Sequence, residues 1–459
     1  MFSERLHRKH LSVSKQFITS CLAAFFGPFS FGYILGYSSP AIAELLKSKF
    51  LHEQQAAWFG SMVTIGAMLG GPMAGWLVEK YGRKYTMNFI SVPLIVGWCL
   101  IMATPNVVLF YLSRIVSGVA IGMTCVASPI YIAEISTRSL RGMLGSSVQL
   151  SITVGIFVAY ILGMYMNYLQ MAKFGILIPL LSFFFTLSMP ETPRWLLYKG
   201  RRIEAIQALT KLRSVNCDVE DEIRDIEEGL DIQDISYRDM WRKPELSRPI
   251  FISLSLMILQ QLTGINAVLF YAVPIFKESG YENQSYFASA IIGATQILFT
   301  FLVSQIMDRV GRRKLLISGG LSLSFSCFIL GSYYALKEHN YLVANNLKTL
   351  PLISLVVFIA SFSIGWGPIP MLIMSEIFPS HARGKASALS IFTSWLFAFI
   401  VTKEFITVKE SLGPAETFWL FSLFSFTGVF FVWFVLPETK GKSLEEIELY
   451  FLGRSMLKK

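Results

Sequence analysis

Five side-chain amides stand inside long apolar runs of this chain: Gln149, Gln260, Gln261, Asn266 and Gln296. An amide offers two N–H donors and one carbonyl acceptor without net charge, which suits it to holding a neutral, hydroxyl-rich ligand. In hydrocarbon an unsatisfied amide is costly, so each of the five needs a partner on another helix or on a bound molecule. Gln261 and Asn266 lie about 140° apart on a regular helix, so they serve one pocket only if it is wide or the helix unwinds near Gly264. Other site chemistry is missing from the sequence. The cysteines Cys21, Cys99, Cys125, Cys217 and Cys327 form no CxxC pair, and His7, His10, His52, His339 and His381 have no metal-ligand spacing. No nucleophile with a base, phosphate loop or charged ring is visible, so the pattern points away from an enzyme or a channel and implies no cofactor.

A second group of residues occurs twice. GWLVEKYGRK at Gly75–Lys84 is answered by SQIMDRVGRR at Ser304–Arg313, each with an acid four residues before an arginine, Glu79 to Arg83 and Asp308 to Arg312, and a glycine turn at Gly82 or Gly311. At the next loop on the same side an acid precedes an arginine by seven residues, Glu134 to Arg141 and Glu376 to Arg383, and PETPR with Glu191 is answered by PETKG with Glu438. Three matching elements in one order imply two parallel six-helix halves. Glu79, Arg83, Glu134, Arg141, Glu191, Asp308, Arg312, Arg313, Glu376, Arg383 and Glu438 then form a latch, whose ion pairs are expected across the seam between the halves when that side is shut.

These residues need elements to carry them, and composition says what kind. Of 459 residues 53% are hydrophobic and 15% charged, with a mean hydropathy of +0.54, which describes a chain dissolved mostly in lipid. Hydropathy predicts twelve spans, at 17–39, 56–78, 85–104, 107–132, 144–167, 170–189, 250–276, 286–307, 314–336, 349–375, 386–407 and 414–436. The expected fold is therefore an all-α membrane protein of twelve transmembrane helices in two pseudo-symmetric halves, 17–189 and 250–436, with tails at 1–16 and 437–459. With a cytosolic N-terminus, 31 Lys and Arg lie at or near the inner ends of the spans and 8 at or near the outer ends, with Arg114 inside a span. That asymmetry puts both termini in the cytosol, and the net charge of +10 reflects orientation and not nucleic-acid binding. Arg114 is read as structural, close enough to the outer end to snorkel. The first span has no cleavage site and is read as retained, and the sequon at Asn283 lies in a loop too short for glycosylation.

The interruption at 190–249 holds 11 Lys/Arg and 13 Asp/Glu and two helically spaced apolar sets, Ile203, Ile206, Leu209, Leu212 and Val219, Ile223, Ile226, Leu230. It predicts amphipathic helices beneath the bundle on the cytosolic side.

The chain resembles the sugar porters of the major facilitator superfamily, and within them the animal facilitative hexose transporters, over nearly its whole length. Beyond the repeated motifs, the resemblance is carried by RIVSGVAIG from Arg114, PIYIAEIS from Pro129, QQLTGINAVLFYA from Gln260 and GPIP from Gly367. The opening FGYILGYSSPAI from Phe31 is similar to class III hexose facilitators and insect trehalose transporters. The resemblance implies facilitative transport of a hexose such as glucose or fructose by alternating access. It assigns sugar contact to the five amides, with Gln296 where asparagine is commonest, pocket lining to Phe31 and Trp395, an outer gate to Tyr271, and a break in span 7 that Pro274 fits. Proton-coupled relatives carry an aspartate after FGY, where this chain has Ile34, so uniport is expected. Three departures bear on the cargo: Met371 stands in place of tryptophan, Ser363 in place of an acid and Ser394 in place of an amide. A trehalose carrier, a proton-coupled symporter and a non-transporting sugar sensor are the alternatives. The implied partners are a monosaccharide, or a disaccharide, and the bilayer, the plasma membrane being favoured; no obligate protein partner is indicated.

Overall fold

The computed structural model describes residues 14–103, 105–137, 140–213, 219–228, 237–242, 244–281, 284–339, 346–442 and 444–452. The N-terminal tail before Ser14, Cys217, Leu230 and Asn283 lie outside them, as do the side chains of Arg141 and Asp308.

Among the described residues, twelve helices are long and apolar enough to cross a membrane. Spans 1 to 6 are Lys15–Lys47, Glu53–Tyr81, Arg83–Ala103, Val107–Ile135, Arg141–Tyr165 and Tyr168–Leu187. Span 7 is broken into Pro244–Leu262, Ile265–Phe270 and Ala272–Glu278; span 8 is Ser285–Val310 and span 9 Arg312–His339. Span 10 joins Leu350–Ser361 to Ile369–Ile377 through a π-turn at Phe362–Trp366, span 11 is Ser380–Leu412 and span 12 Pro414–Phe434. Several helices outrun the hydropathic segments that predicted them, span 11 by six residues at its start and five at its end, because a helix keeps its hydrogen bonds after its side chains turn polar.

The packing repeats. Span 1 lies on span 5 as span 7 lies on span 11, span 3 lies on span 6 as span 9 lies on span 12, and span 2 lies on span 4 as span 8 lies on span 10. The halves meet through spans 2 and 11 and, by the same pseudo-symmetry, spans 8 and 5, with span 1 against span 7. Close crossings depend on glycine, as expected where lipid offers no hydrophobic drive between helices. A Cβ on Gly66 would stand 2.1 Å from the Ile115 carbonyl oxygen, and one on Gly118 2.1 Å from that of Val63, which locks span 2 to span 4.

Between the halves run short helices at Pro193–Tyr198, Arg202–Leu212, Val219–Glu228 and Tyr237–Arg242. Trp195, Leu196, Leu197, Ala205, Ala208, Leu209 and Ile223 make a small core of their own. Ile203 is not part of that face: it is 75% exposed, because the buried stripe runs through Ala205, Ala208, Leu209 and Leu212 and position 203 lies about 160° away from position 205. Arg213 fastens the layer to the first half, donating to the Ile135 carbonyl at 2.9 Å and pairing with Glu222 at 2.7 Å.

The repeated motifs fold into the same turn twice. Gly82 and Gly311 hold φ of +101° and +103°, and each is followed by a helix whose first N–H groups are capped by a distant carboxylate. Glu191 accepts from the backbone of Arg83 and Lys84 at 3.1 Å each, and Glu438 from Arg312 and Arg313 at 3.1 Å each. This is charge placed where the helix dipole favours it. Burial pushes the Glu191 carboxyl above its usual range, and the N–H groups of Thr192, Arg83 and Lys84 oppose that shift. A Cβ on Gly82 would meet Glu191 Oε2 at 2.2 Å and one on Gly311 would meet Glu438 Oε2 at 2.8 Å. Gly82→Ala and Gly311→Ala are each expected to cost about 1–3 kcal/mol, from φ strain plus displacement of the cap. Thermal unfolding in detergent measures this, and an unchanged midpoint contradicts it.

Candidate functional site

The five amides lie within spans 5, 7 and 8, and a local break explains how those of span 7 meet. The first helix of span 7 stops at Leu262, Gly264 turns left-handed at φ +85°, and a new helix begins at Ile265. A side chain at 264 would be strained and would meet the Phe421 ring at 2.6 Å, so glycine is required twice over. The break cancels the 140° separation: Asn266 Nδ2 donates to Gln261 Oε1 at 2.6 Å. Gln261 Nε2 in turn donates to Ser394 Oγ of span 11 at 2.9 Å and to Gln260 Oε1 at 3.4 Å. Gln260 Nε2 donates to the backbone carbonyls of Trp366 at 2.6 Å and Gly367 at 3.1 Å. Trp395 follows Ser394, and its ring stands 5.8 Å from that of Phe31, across the two halves.

Gln296 and Gln149 are not tied into this chain. Gln296 is buried in span 8 and, among the described residues, its Oε1 has no hydrogen-bond partner. Gln149 is half-buried in span 5. Ser363 Oγ, within the π-turn, is likewise buried without a partner among the described residues. A buried acceptor or hydroxyl left so costs about 1–3 kcal/mol, which a hydroxyl-rich ligand would relieve. Sequence reasoning missed Trp366; Gly367 and Pro368 inside an apolar run were the available signal of a break there.

At the end of the bundle away from the basic loops the halves are joined. Tyr160 of span 5 donates to the Leu269 carbonyl at 2.8 Å, the Val273 N–H donates to Ser39 Oγ at 2.8 Å, and Gln54 Nε2 donates to Glu410 Oε2 at 3.2 Å. Tyr271 is buried there, stacked on Phe405 at 5.2 Å, with its hydroxyl 3.4 Å from the Thr402 carbonyl. Lys403 Nζ lies 4.9 Å from the centre of the Trp58 ring across the same seam.

The ion pairs at the basic end lie within the halves. Arg83 pairs with Glu134 at 2.7 Å and Arg312 with Glu376 at 3.0 Å, each within one half and not across the seam. Thr439 donates to the other oxygen of Glu376 at 2.6 Å. Glu79 is exposed and contributes its carbonyl, to the Trp195 indole at 3.0 Å, and not its carboxylate. The reason is the glycine turn: span 2 ends at Tyr81, so Glu79 and Arg83 do not share a helix and the four-residue spacing has no geometric force. Arg313 donates to the Trp433 carbonyl and stands 6.0 Å from that ring. Arg383 donates to the Phe378 carbonyl at 3.1 Å.

Arg114 does not reach for the surface but is 1% exposed, donating to the carbonyls of Phe59 at 3.3 Å and Ile34 at 3.5 Å and to the Ser38 hydroxyl. The Phe59 ring centre is 5.0 Å from its guanidinium carbon.

Two six-helix halves around a neutral polar centre define a membrane carrier of the alternating two-bundle type. The chain belongs to the family described as Sugar (and other) transporter, whose model matches residues 20–451. It is 39% identical over 456 residues, 95% of its own length and 94% of the other's, to "Solute carrier family 2, facilitated glucose transporter member 8" of Bos taurus. It is 38% identical to "Facilitated trehalose transporter Tret1" of Bombyx mori, covering 94% of this chain and 86% of that one. Among solved structures it is similar to the proton:xylose symporter XylE bound to 6-bromo-6-deoxy-D-glucose, with a TM-score of 0.76, 26% identity and coverage of 95% and 99% of the two chains. The inward open conformation of XylE from E. coli shares the fold at a TM-score of 0.77 and 24% identity.

Proposed function

We propose that the chain is a uniporter that carries a hexose such as glucose or fructose, chemically unchanged, by alternating access. One observation carries the reading: the linked set Asn266, Gln261, Gln260 and Ser394, with the facing rings of Phe31 and Trp395 beside it, is made of neutral donors and acceptors. Such a set matches hydroxyls better than an ion, which would want a countercharge. Gln149 and Gln296 complete the pocket from spans 5 and 8 once cargo is present. The similarity to a glucose transporter points the same way. The similarity to a trehalose transporter favours a second reading, a disaccharide cargo. Purified protein in lipid vesicles, offered labelled glucose, fructose and trehalose, separates these: saturable hexose uptake supports the first, trehalose uptake alone supports the second, and uptake of neither contradicts both.

In this reading the basic end faces the cytosol with both termini, the protein sits in the plasma membrane, and residues 17–189 and 250–436 are the moving bodies, with 190–249 and 437–459 attached beneath. The sealed far end, with Tyr271 in it, is then the outer gate in its shut state. A Cβ on Gly142, Gly145 or Gly384, at the inner starts of spans 5 and 11, meets nothing within 4 Å, which fits an inner side standing open. The arginine–glutamate pairs become a latch by exchanging partners within a half for partners across the seam when the inner side shuts. Glu376→Ala, which removes the carboxylate that Arg312 holds at 3.0 Å, is expected to slow exchange of sugar across vesicles by about tenfold while equilibrium binding changes less than about twofold, since a bias of roughly 1.4 kcal/mol between the two states suffices. Parental exchange rates would remove the latch.

The surroundings of Arg114 support uniport. Its hydrogen-bond acceptors are two backbone carbonyls and a serine hydroxyl, and span 1 gives it aliphatic Ile34 where a proton-carrying acid would stand.

A further inference from the structure

Spans 2 and 11 meet across the two halves, and at their outer ends polar residues take over the seam. Glu53 and Gln54 open span 2, and Lys409 and Glu410 stand near the end of span 11, all four beyond the apolar segments 56–78 and 386–407. Gln54 Nε2 donates to Glu410 Oε2 at 3.2 Å, and the Glu53 carboxyl shares a hydrogen bond with the Glu410 side chain. A carboxylate cannot donate, so the bond between the two acids exists only while one proton is held between them. The lysines beside them are engaged elsewhere. Lys409 Nζ is 2.5 Å from Glu278 Oε1 of span 7, and Lys403 Nζ lies 3.7 Å from Glu404 and 4.9 Å from the centre of the Trp58 ring. That ring also meets the ring of Phe399 at 6.1 Å, which gives the acid pair an apolar floor spanning both halves.

The charges facing Glu53 are Glu410 and Lys409 from span 11 and Glu278 from span 7. The hydrogen bond to Glu410 pushes the Glu53 carboxyl above its usual range, partial burial adds to this, and Lys409 opposes both. Opening the outer side must part spans 2 and 11 and break the pair. We propose that Glu53 and Glu410 form a proton-held clasp on the outer gate, which keeps the outer side shut while the two acids share one proton and loosens when both are ionised. The inference rests on the carrier reading and adds a regulation to it. A carboxyl that holds its proton more firmly in the shut state stabilises that state at low pH, and the stabilisation is lost as pH rises through the raised value. Acid therefore slows the carrier. Both acids are exposed, so the proton comes from the outer solution and returns to it, none crosses the membrane, and the end point of uptake is untouched. Exposure also screens the pair, which limits the effect to a few-fold.

The test is equilibrium exchange of labelled hexose in vesicles held at the same pH on both faces, so that the orientation of the protein does not matter. The range runs from about pH 7.5 down to about pH 4.5, which covers a carboxyl raised above its ordinary value of about 4.3. Exchange by the parent should fall about threefold on acidification, the ratio given by about half a pKa unit between the shut and open states. Glu53→Gln replaces the shared proton with a permanent amide donor of the same shape, so its exchange should be flat across the range and stay at the parent's acid rate. Glu410→Ala removes the partner of both Glu53 and Gln54, so its exchange should be flat at or above the parent's neutral rate. A merely structural role would not displace two flat profiles in opposite directions. Because Glu53→Gln is isosteric and exposed, it keeps the test alive if Glu410→Ala does not insert. A flat profile in an exchanging parent overturns the clasp and leaves the carrier reading intact, as does a parental profile kept by Glu53→Gln, which would put the titrating group elsewhere. A parent that exchanges no hexose at any pH contradicts the carrier reading itself.

Discussion

Gly32→Leu is expected to abolish a stable fold, with no monodisperse protein recovered in detergent, and Gly32→Ala to lower the unfolding midpoint sharply. Span 1 crosses span 5 with backbone against backbone: a Cβ on Gly32 would lie 1.8 Å from the Ile152 carbonyl oxygen and 3.0 Å from Ile152 Cα, and one on Gly155 would lie 2.2 Å from the Phe29 carbonyl oxygen. No rotamer relieves a clash with backbone, so the helices must part. Parting strands bonds made close by, Tyr33 to the Met171 carbonyl at 2.8 Å and Tyr160 to the Leu269 carbonyl at 2.8 Å, the second of which joins the two halves. Overpacking alone costs about 1–3 kcal/mol, and each stranded buried partner adds about 1–3 kcal/mol. Together these approach the whole stability of an ordinary domain, about 5–15 kcal/mol. Phe31, the residue before the crossing, would move with it. Normal recovery of Gly32→Leu with a parental midpoint would show the crossing to be looser than described.

The second large effect is at the pocket. Gln261→Ala should weaken hexose binding by about 1–3 kcal/mol, roughly 5- to 150-fold, with folding retained, because Gln261 is the middle of the chain. Its loss leaves Asn266 Nδ2 and Gln260 Oε1 without the partners they have at 2.6 and 3.4 Å, and Ser394 without a donor. Truncation also opens space for water, so the fold survives while ligand orientation does not. Asn266→Ala should fall in the same range, since it removes the group at the free end. Binding measured on detergent-purified protein checks both, and parental affinity in two well-folded variants would move the pocket elsewhere.

Much of this could be read before any coordinates, and the reasons for the rest are local. The twelve spans were legible because hydrocarbon solubility is a property of composition over some twenty residues. Where each helix ends was not, since Ser380–His381 and Lys409–Glu410 continue span 11 in polar residues. The break at Gly264 was legible from two amides that could not otherwise share a pocket. The π-turn at Phe362–Trp366 was not, although Pro368 and Pro370 announce missing N–H groups, because a missing donor says nothing about which distant side chain replaces it. Partner choice in the ion pairs was not legible for the same reason. Arg83 found Glu134, 51 residues on, and Arg312 found Glu376, 64 residues on, at distances that only the packing of spans 3 on 4 and 9 on 10 brings together. Arg114 could be placed within a span by hydropathy, but the carbonyls of Phe59 and Ile34 that make its burial tolerable belong to other helices.

The central claim, passive transport of a neutral sugar through an uncharged pocket, is tested most directly by the end point of uptake in sealed vesicles containing only this protein. Labelled hexose should enter until its concentration is equal on both sides, and an imposed pH gradient of either sign should change neither the end point nor the internal pH as sugar moves. Accumulation above the external concentration driven by the pH gradient, or acidification that tracks sugar entry, would contradict the account, since it would require a proton-carrying group in the transport cycle that Ile34 and the neutral surroundings of Arg114 do not supply.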